Sequence, residues 1–100
     1  MTESKMRVKT LFKSLSAHTS SLYGDELAVL SGEIRLKPIA MPAVMDCCIS
    51  MVCESGSAYF ADERGSYHLT PMTALYFMPG HLLTDLCLSG FRGTIVLMAP

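Results

Sequence analysis

The sequence predicts an all-β domain, a sandwich, jelly roll or small barrel of about eight short strands, preceded by a short N-terminal arm. Three observations predict it. At 100 residues the chain allows one domain, large enough to bury most of its apolar surface and too short for two. From Asp25 onward short apolar stretches alternate with turn signals, and no internal repeat interrupts the order. Those signals are Gly- and Pro-based: Ser31-Gly32, Pro38, Pro42, Gly56, Gly65, Pro71, Pro79-Gly80 and Gly90 to Gly93.

Residues 1–22 read as a basic, Ser-rich arm and residues 23–100 as the domain proper. Lys5, Arg7, Lys9 and Lys13 against Glu3 give residues 1–13 a formal charge of +3. Val8, Leu11, Phe12 and Leu15 recur at helical spacing, so the arm is expected to be irregular or briefly helical, with one apolar edge on the barrel. The Ser-rich residues 14–21 are expected to loosen into a connector that leaves His18 solvated.

Residues 27–30 and 34–39 are expected to flank a hairpin-type loop at Ser31-Gly32, since glycine accepts a positive φ. Pro38 and Pro42 bracket a break suited to a corner. Residues 47–53 form the next strand, with Cys47, Ile49, Met51 and Cys53 on one face and Cys48, Ser50 and Val52 on the other. Both faces are largely apolar, which predicts cover on both sides. Residues 57–61 pair with 67–69 across the loop Asp62-Glu63-Arg64-Gly65. Residues 74–78 follow Pro71, residues 82–88 follow Pro79-Gly80, and Ser89-Gly90-Phe91-Arg92-Gly93 turns into a last strand over 94–98.

Half the residues are hydrophobic and 17% are charged, against roughly 25% charged in an ordinary domain. Some apolar surface is therefore expected to meet a partner, and a homodimer is the expected state. No window approaches the roughly 18 apolar residues of a membrane span, and no secretory signal opens the chain; a cytoplasmic protein without membrane contact is expected. The four cysteines, Cys47, Cys48, Cys53 and Cys87, fit no metal or redox spacing and read as small buried hydrophobes. Residues 14–100 carry a formal −4, which excludes the barrel itself as a grip on nucleic-acid phosphates.

The stretch 42–81 carries a resemblance. Val52-Cys53-Glu54-Ser55-Gly56 looks like the end of a first cupin motif. Gly65, Pro71 and Pro79-Gly80 match the rhythm of a second. In this wording the chain resembles the cupin-like N-terminal sensing and dimerisation domain of AraC-type bacterial transcription regulators, over about two thirds of its length. The resemblance implies a cupin-like barrel, a regulatory role, and DNA contact only through helix-turn-helix units that would follow Pro100 in a longer protein. The positions where catalytic cupins hold metal fall near Pro42, Val44, Cys48 and Leu83, and a shift of two residues would make His81 the last of them. This set offers too few nitrogen and oxygen ligands for a metal, so no metal and no cofactor are expected. The family's Gly-Asp after Leu-x-Pro is replaced by Met72-Thr73, where Thr73 can bond backbone locally.

No nucleophile elbow or phosphate-cradling loop occurs, and the chain reads as no enzyme. The candidate ligand-binding residues are Cys48, Ser50, Tyr59, Tyr76 and His81. Tyr59, Tyr67 and Tyr76 have apolar bodies and polar tips suited to a pocket wall, and His81 sits at a strand end on the rim. A small-molecule effector is one candidate partner. The readings in competition are a sensing or dimerisation domain of a regulator, a metal-dependent cupin enzyme with a degenerate ligand set, and a purely structural dimerisation module.

Overall fold

The computed structural model describes residues 4–100, so Glu3 and the rest of residues 1–3, which the sequence assigns to the arm, lie outside the described residues. The elements are β1 (Ser4–Met6), α1 (Val8–Ser14), β2 (Leu15–Tyr23), β3 (Leu27–Leu36), β4 (Ala43–Met45), β5 (Cys48–Asp62), β6 (Gly65–Leu69), β7 (Thr73–Phe77) and β8 (His81–Met98). The chain is all-β with one short helix, a curled mixed sheet in the form of a half-barrel.

The spine is an antiparallel ribbon of β5 and β8, in register from Cys48 opposite Met98 to Asp62 opposite Leu83. At one end of the ribbon β3 adds to β8, β2 adds to β3 and β7 adds to β5. These strands form the β2–β7 half. At the other end β4 adds to β8, β1 adds to β4 in parallel and β6 adds to β5. These form the β1–β6 half.

The ribbon bends between the halves. The β5–β8 register shifts on both sides of Ser55, and Gly56 and Gly90 take φ of +75° and +57°. A Cβ on Gly56 would lie 2.0 Å from the carbonyl oxygen of Gly90, so glycine alone lets the two backbones cross this closely. Bending brings the inner faces together: the ring of Phe60 meets that of Phe77 edge-on at 4.6 Å. One core results, built from Leu30, Ile34, Met45, Ile49, Met51, Phe60, Leu83, Phe91, Ile95 and Leu97 among others, and no polar or charged residue belongs to it among the described residues.

Helix α1 closes one side. Val8 and Leu11 are buried, Phe12 and Leu15 pack against the core, and basic Lys13 in the last turn suits the helix dipole. No side chain of its own caps the start. Instead Asp25, in the turn between β2 and β3, accepts a 2.8 Å hydrogen bond from the backbone N–H of Lys9, satisfying one of the free donors of the first turn.

Several expectations are corrected here. Residues 15–23 are the edge strand β2, paired with β3, and not a connector; His18 is exposed, at a bulge between Ala17 and Thr19. Ser31-Gly32 does not break a hairpin, because β3 runs through it opposite Thr94 and Gly93. Gly56 and residues 89–93 likewise lie within continuous strands of 15 and 18 residues. At the glycines the physical reason is common: a positive φ bends a strand or seats a bulge as readily as it closes a turn. The hairpin of residues 57–61 with 67–69 is present. There Asp62 stands opposite Gly65, and Asp62 Oδ1 accepts from the N–H groups of Arg64 and Gly65 at 2.8 and 3.1 Å. Thr73 Oγ1 bonds the backbone of Thr70 beside Met72, whose φ is +69°, so the hydroxyl holds the turn after Pro71.

Candidate functional site: an uncharged sheet face

The interior leaves little room. Between the halves the free volume is about 20 Å³, space for roughly one water-sized body. Its walls are Leu, Ile, Met and Phe side chains, with Leu11 and Leu15 closing it from α1 and the start of β2. No expected site residue lines it. The barrel is filled by its own side chains, the alternative to an open ligand chamber in small barrels.

The structure separates the five candidate residues. His81 sits at the rim, where its Nδ1 bonds the carbonyl of Met78 at 3.3 Å and its Nε2 lies 3.7 Å from Asp62 Oδ2. The Asp62 side chain is only 7% exposed. The two face a shallow cleft of about 270 Å³ that Glu63 and Arg64 also border. Among the described residues no three His, Cys, Asp or Glu side chains converge as metal ligands. Tyr59 lies on the outer face of the β1–β6 half, between His68 and Cys87 in register, with its ring 4.9 Å from that of His68.

Cys48, Ser50 and Tyr76 are brought together on the outer face of the β2–β7 half. The registers place this face in three cross-strand rows. The first is Tyr23, Leu27, Met98 and Cys48; the second Ser21, Val29, Val96, Ser50 and Tyr76; the third Thr19, Ser31, Thr94, Val52 and Ala74. None is charged. Charge begins in the next row, where Glu33 pairs with Arg92 in register and Arg35 contacts Glu33 at 3.1 Å. Tyr23, Val52, Tyr76 and Met98 are exposed at 59, 45, 54 and 46%. Hence the expected cover on both sides of residues 47–53 is corrected: Ile49, Met51 and Cys53 are buried, whereas Val52 faces outward uncovered.

Electrostatics follow this division. Burial, with Cys48 and Asp46 nearby, pushes the Cys47 thiol up to about 11, and burial also raises Cys53. The neighbouring Cys48 thiol raises the Tyr76 phenol. All four cysteines are free thiols. Cys87 is exposed, which corrects its assignment as a buried hydrophobe; it lies on the outward side of β8, opposite Tyr59.

Sequence reasoning missed most of the face. Ser21, Val29 and Val96 are central to it, and their signal was present as two-residue alternation: Ala28 and Leu30 are buried while Val29 and Ser31 are not. Reading Ser31-Gly32 as a loop cut that alternation short. Asp62 beside His81 was also missed, because it was read as a turn residue. No protein-family model matches the chain, and no curated protein matches it.

Proposed function

We propose that the chain is a non-catalytic regulatory module that works by self-association, in the manner implied by its resemblance to the sensing and dimerisation domains of AraC-type regulators. The observation that carries this reading is the position of the apolar surplus. The interior is already filled, and of the large hydrophobic residues left exposed, Tyr23, Val52, Tyr76 and Met98 share one outer sheet face without a charged residue in three rows, while Tyr67, Met72 and Met78 lie elsewhere. Monomeric proteins rarely leave a contiguous patch of that kind open. Association would alter the exposed sheet and, in a longer protein, bring two DNA-binding portions together; coupling to an effector would require a ligand that binds the two states unequally.

Sedimentation of the whole chain over a concentration series tests the reading. A dimer at micromolar concentration supports it, and a strictly monomeric species at high micromolar concentration removes it. The second reading, a degenerate metal-dependent cupin, is favoured by one observation, the approach of His81 to the well-buried Asp62. Elemental analysis of untagged protein separates the two: one equivalent of iron, manganese, nickel or zinc per chain, lost in His81→Ala, supports the enzyme.

A further inference from the structure

Resting on the association reading, we propose that the partner is a second copy of this chain, packed outer face to outer face on the β2–β7 half about a two-fold axis that runs close to β8 and passes beside Val96.

The face suits a copy of itself. A two-fold contact places one surface against the same surface, so any charge on it meets a like charge near the axis. The three rows contain none; Glu33 and Arg92 lie in the row beyond the third, and Asp25 and Asp46 lie beyond the first, two residues from Tyr23 and Cys48. The area is also sufficient. Five strands at about 4.8 Å and three rows at about 6.8 Å give a face of roughly 500 Å² per copy. Two such faces bury about 1,000 Å², the lower bound for a specific interface. Sheets packed this way lie about 10 Å apart with strands within about 30° of one another.

Two orientations of the axis are possible, and side-chain size decides between them. An axis across the strands sets each strand on itself. In the middle row Tyr76 would then lie on the partner's Tyr76 at one edge and Ser21 on the partner's Ser21 at the other, a wedge that closes at one side and gapes at the other. An axis along β8 exchanges the edges. Tyr76 then meets the partner's Ser21, Val29 meets the partner's Ser50, and Val96 meets its own copy. In the adjoining row Val52 meets the partner's Ser31. Large faces small at each of these non-axial positions, which is how interface cores reach the packing density of interiors.

The test uses the intact chain and its association constant by sedimentation or light scattering, with circular dichroism to confirm folding. Val96→Glu places like charges at the axis and is expected to weaken the dimer about a hundredfold. Ser21→Glu and Tyr76→Lys occupy opposite edges, about 19 Å apart in one chain, so they cannot rescue each other within a protomer. Each alone is expected to weaken the dimer about tenfold, and the double variant to return close to the wild-type affinity at low salt. A monomeric wild-type chain overturns the association reading and this proposal together. A wild-type dimer that neither Val96→Glu nor Tyr76→Lys weakens overturns the face and leaves the association reading standing. Weakening by the single variants without rescue in the double overturns the axis. Should Val96→Glu fail to fold, the edge pair decides alone, since Tyr76 is 54% exposed.

Discussion

The two halves of the molecule share one ribbon and one core but present unlike faces to the outside. On the β1–β6 half the outer residues include Tyr59, His68, Cys87, Ala61, Ser66 and Asp85, a mixture that water covers without cost. On the β2–β7 half the equivalent positions of the same two long strands are Cys48, Ser50, Val52, Thr94, Val96 and Met98. The alternation that builds the core is identical in both. What differs is the requirement placed on the side facing away from it, and the difference teaches that folding alone does not account for the second face. Val96 and Val52 add little to the core that Thr or Ser on the same strands would not.

The largest effect that could break this comparison lies where the halves meet. Phe60 is 1% exposed and touches Phe77 across the fold and Tyr67 beside it. Phe60→Ala is expected to cost about 3–5 kcal/mol, read by chemical denaturation at a concentration low enough to keep the chain monomeric. A cost below about 1 kcal/mol would mean that the halves do not share a core.

Next comes the bend. Gly56→Ala forces a Cβ to within 2.0 Å of the Gly90 carbonyl oxygen at a φ of +75°, and overpacking together with backbone strain is expected to cost about 2–4 kcal/mol. Gly24→Ala makes the control, because it also has positive φ but no atom within 4 Å of the added carbon; its cost should be near 1 kcal/mol. Equal losses at the two positions would show that close approach of β5 and β8 is not what bends the ribbon.

These glycines also explain what the sequence made legible. The all-β class, the pairing of residues 57–61 with 67–69, the strand after Pro71 and the rim position of His81 could be read directly, because each depends on local alternation or on a breaker doing its ordinary work. Gly32, Gly56 and Gly90 could not be read correctly, since a glycine that bends a strand and one that closes a turn satisfy the same φ. Only the register of a distant strand distinguishes them. Ser-rich β2 was hidden for a related reason: an edge strand with one solvated face has the composition of a connector. Of the candidate site, Cys48, Ser50 and Tyr76 were found, but the rows that join them run through β3 and β2, whose pairing has no local signature.

A smaller effect contrasts inner and outer cysteines. Cys47 has an ordinary value of 9.0 that burial raises to about 11 in the fold. Between those values the unfolded chain has lost the proton that the folded chain retains, so stability is fully present below pH 9 and declines as pH rises toward 11. Burial shifts Cys53 in the same direction. Denaturation midpoints across this range should fall, and Cys47→Ala should flatten the slope. At pH 8 a thiol reagent should modify exposed Cys87 in the native chain, while Cys47 waits for unfolding. Rapid native labelling of Cys47 would contradict its burial.

The smallest effect tests the outer faces against each other. His68 and Tyr59 form a cross-strand pair with ring centroids 4.9 Å apart, and such pairs contribute about 0.2–1 kcal/mol. His68→Ala should therefore lower stability by about 0.5 kcal/mol, and it should leave the association constant unchanged, because it lies on the polar half. Met98→Gln on the other half is exposed to a similar degree as an ordinary surface residue, at 46%, and should change monomer stability by no more than about 0.5 kcal/mol. Its effect should instead appear in self-association, where burying an unpaired amide opposes contact. The two variants thus predict opposite dissociations of stability from association. If both alter association equally, the absence of charge on the β2–β7 face carries no function; if only Met98→Gln does, that face is where the chain spends its excess apolar surface.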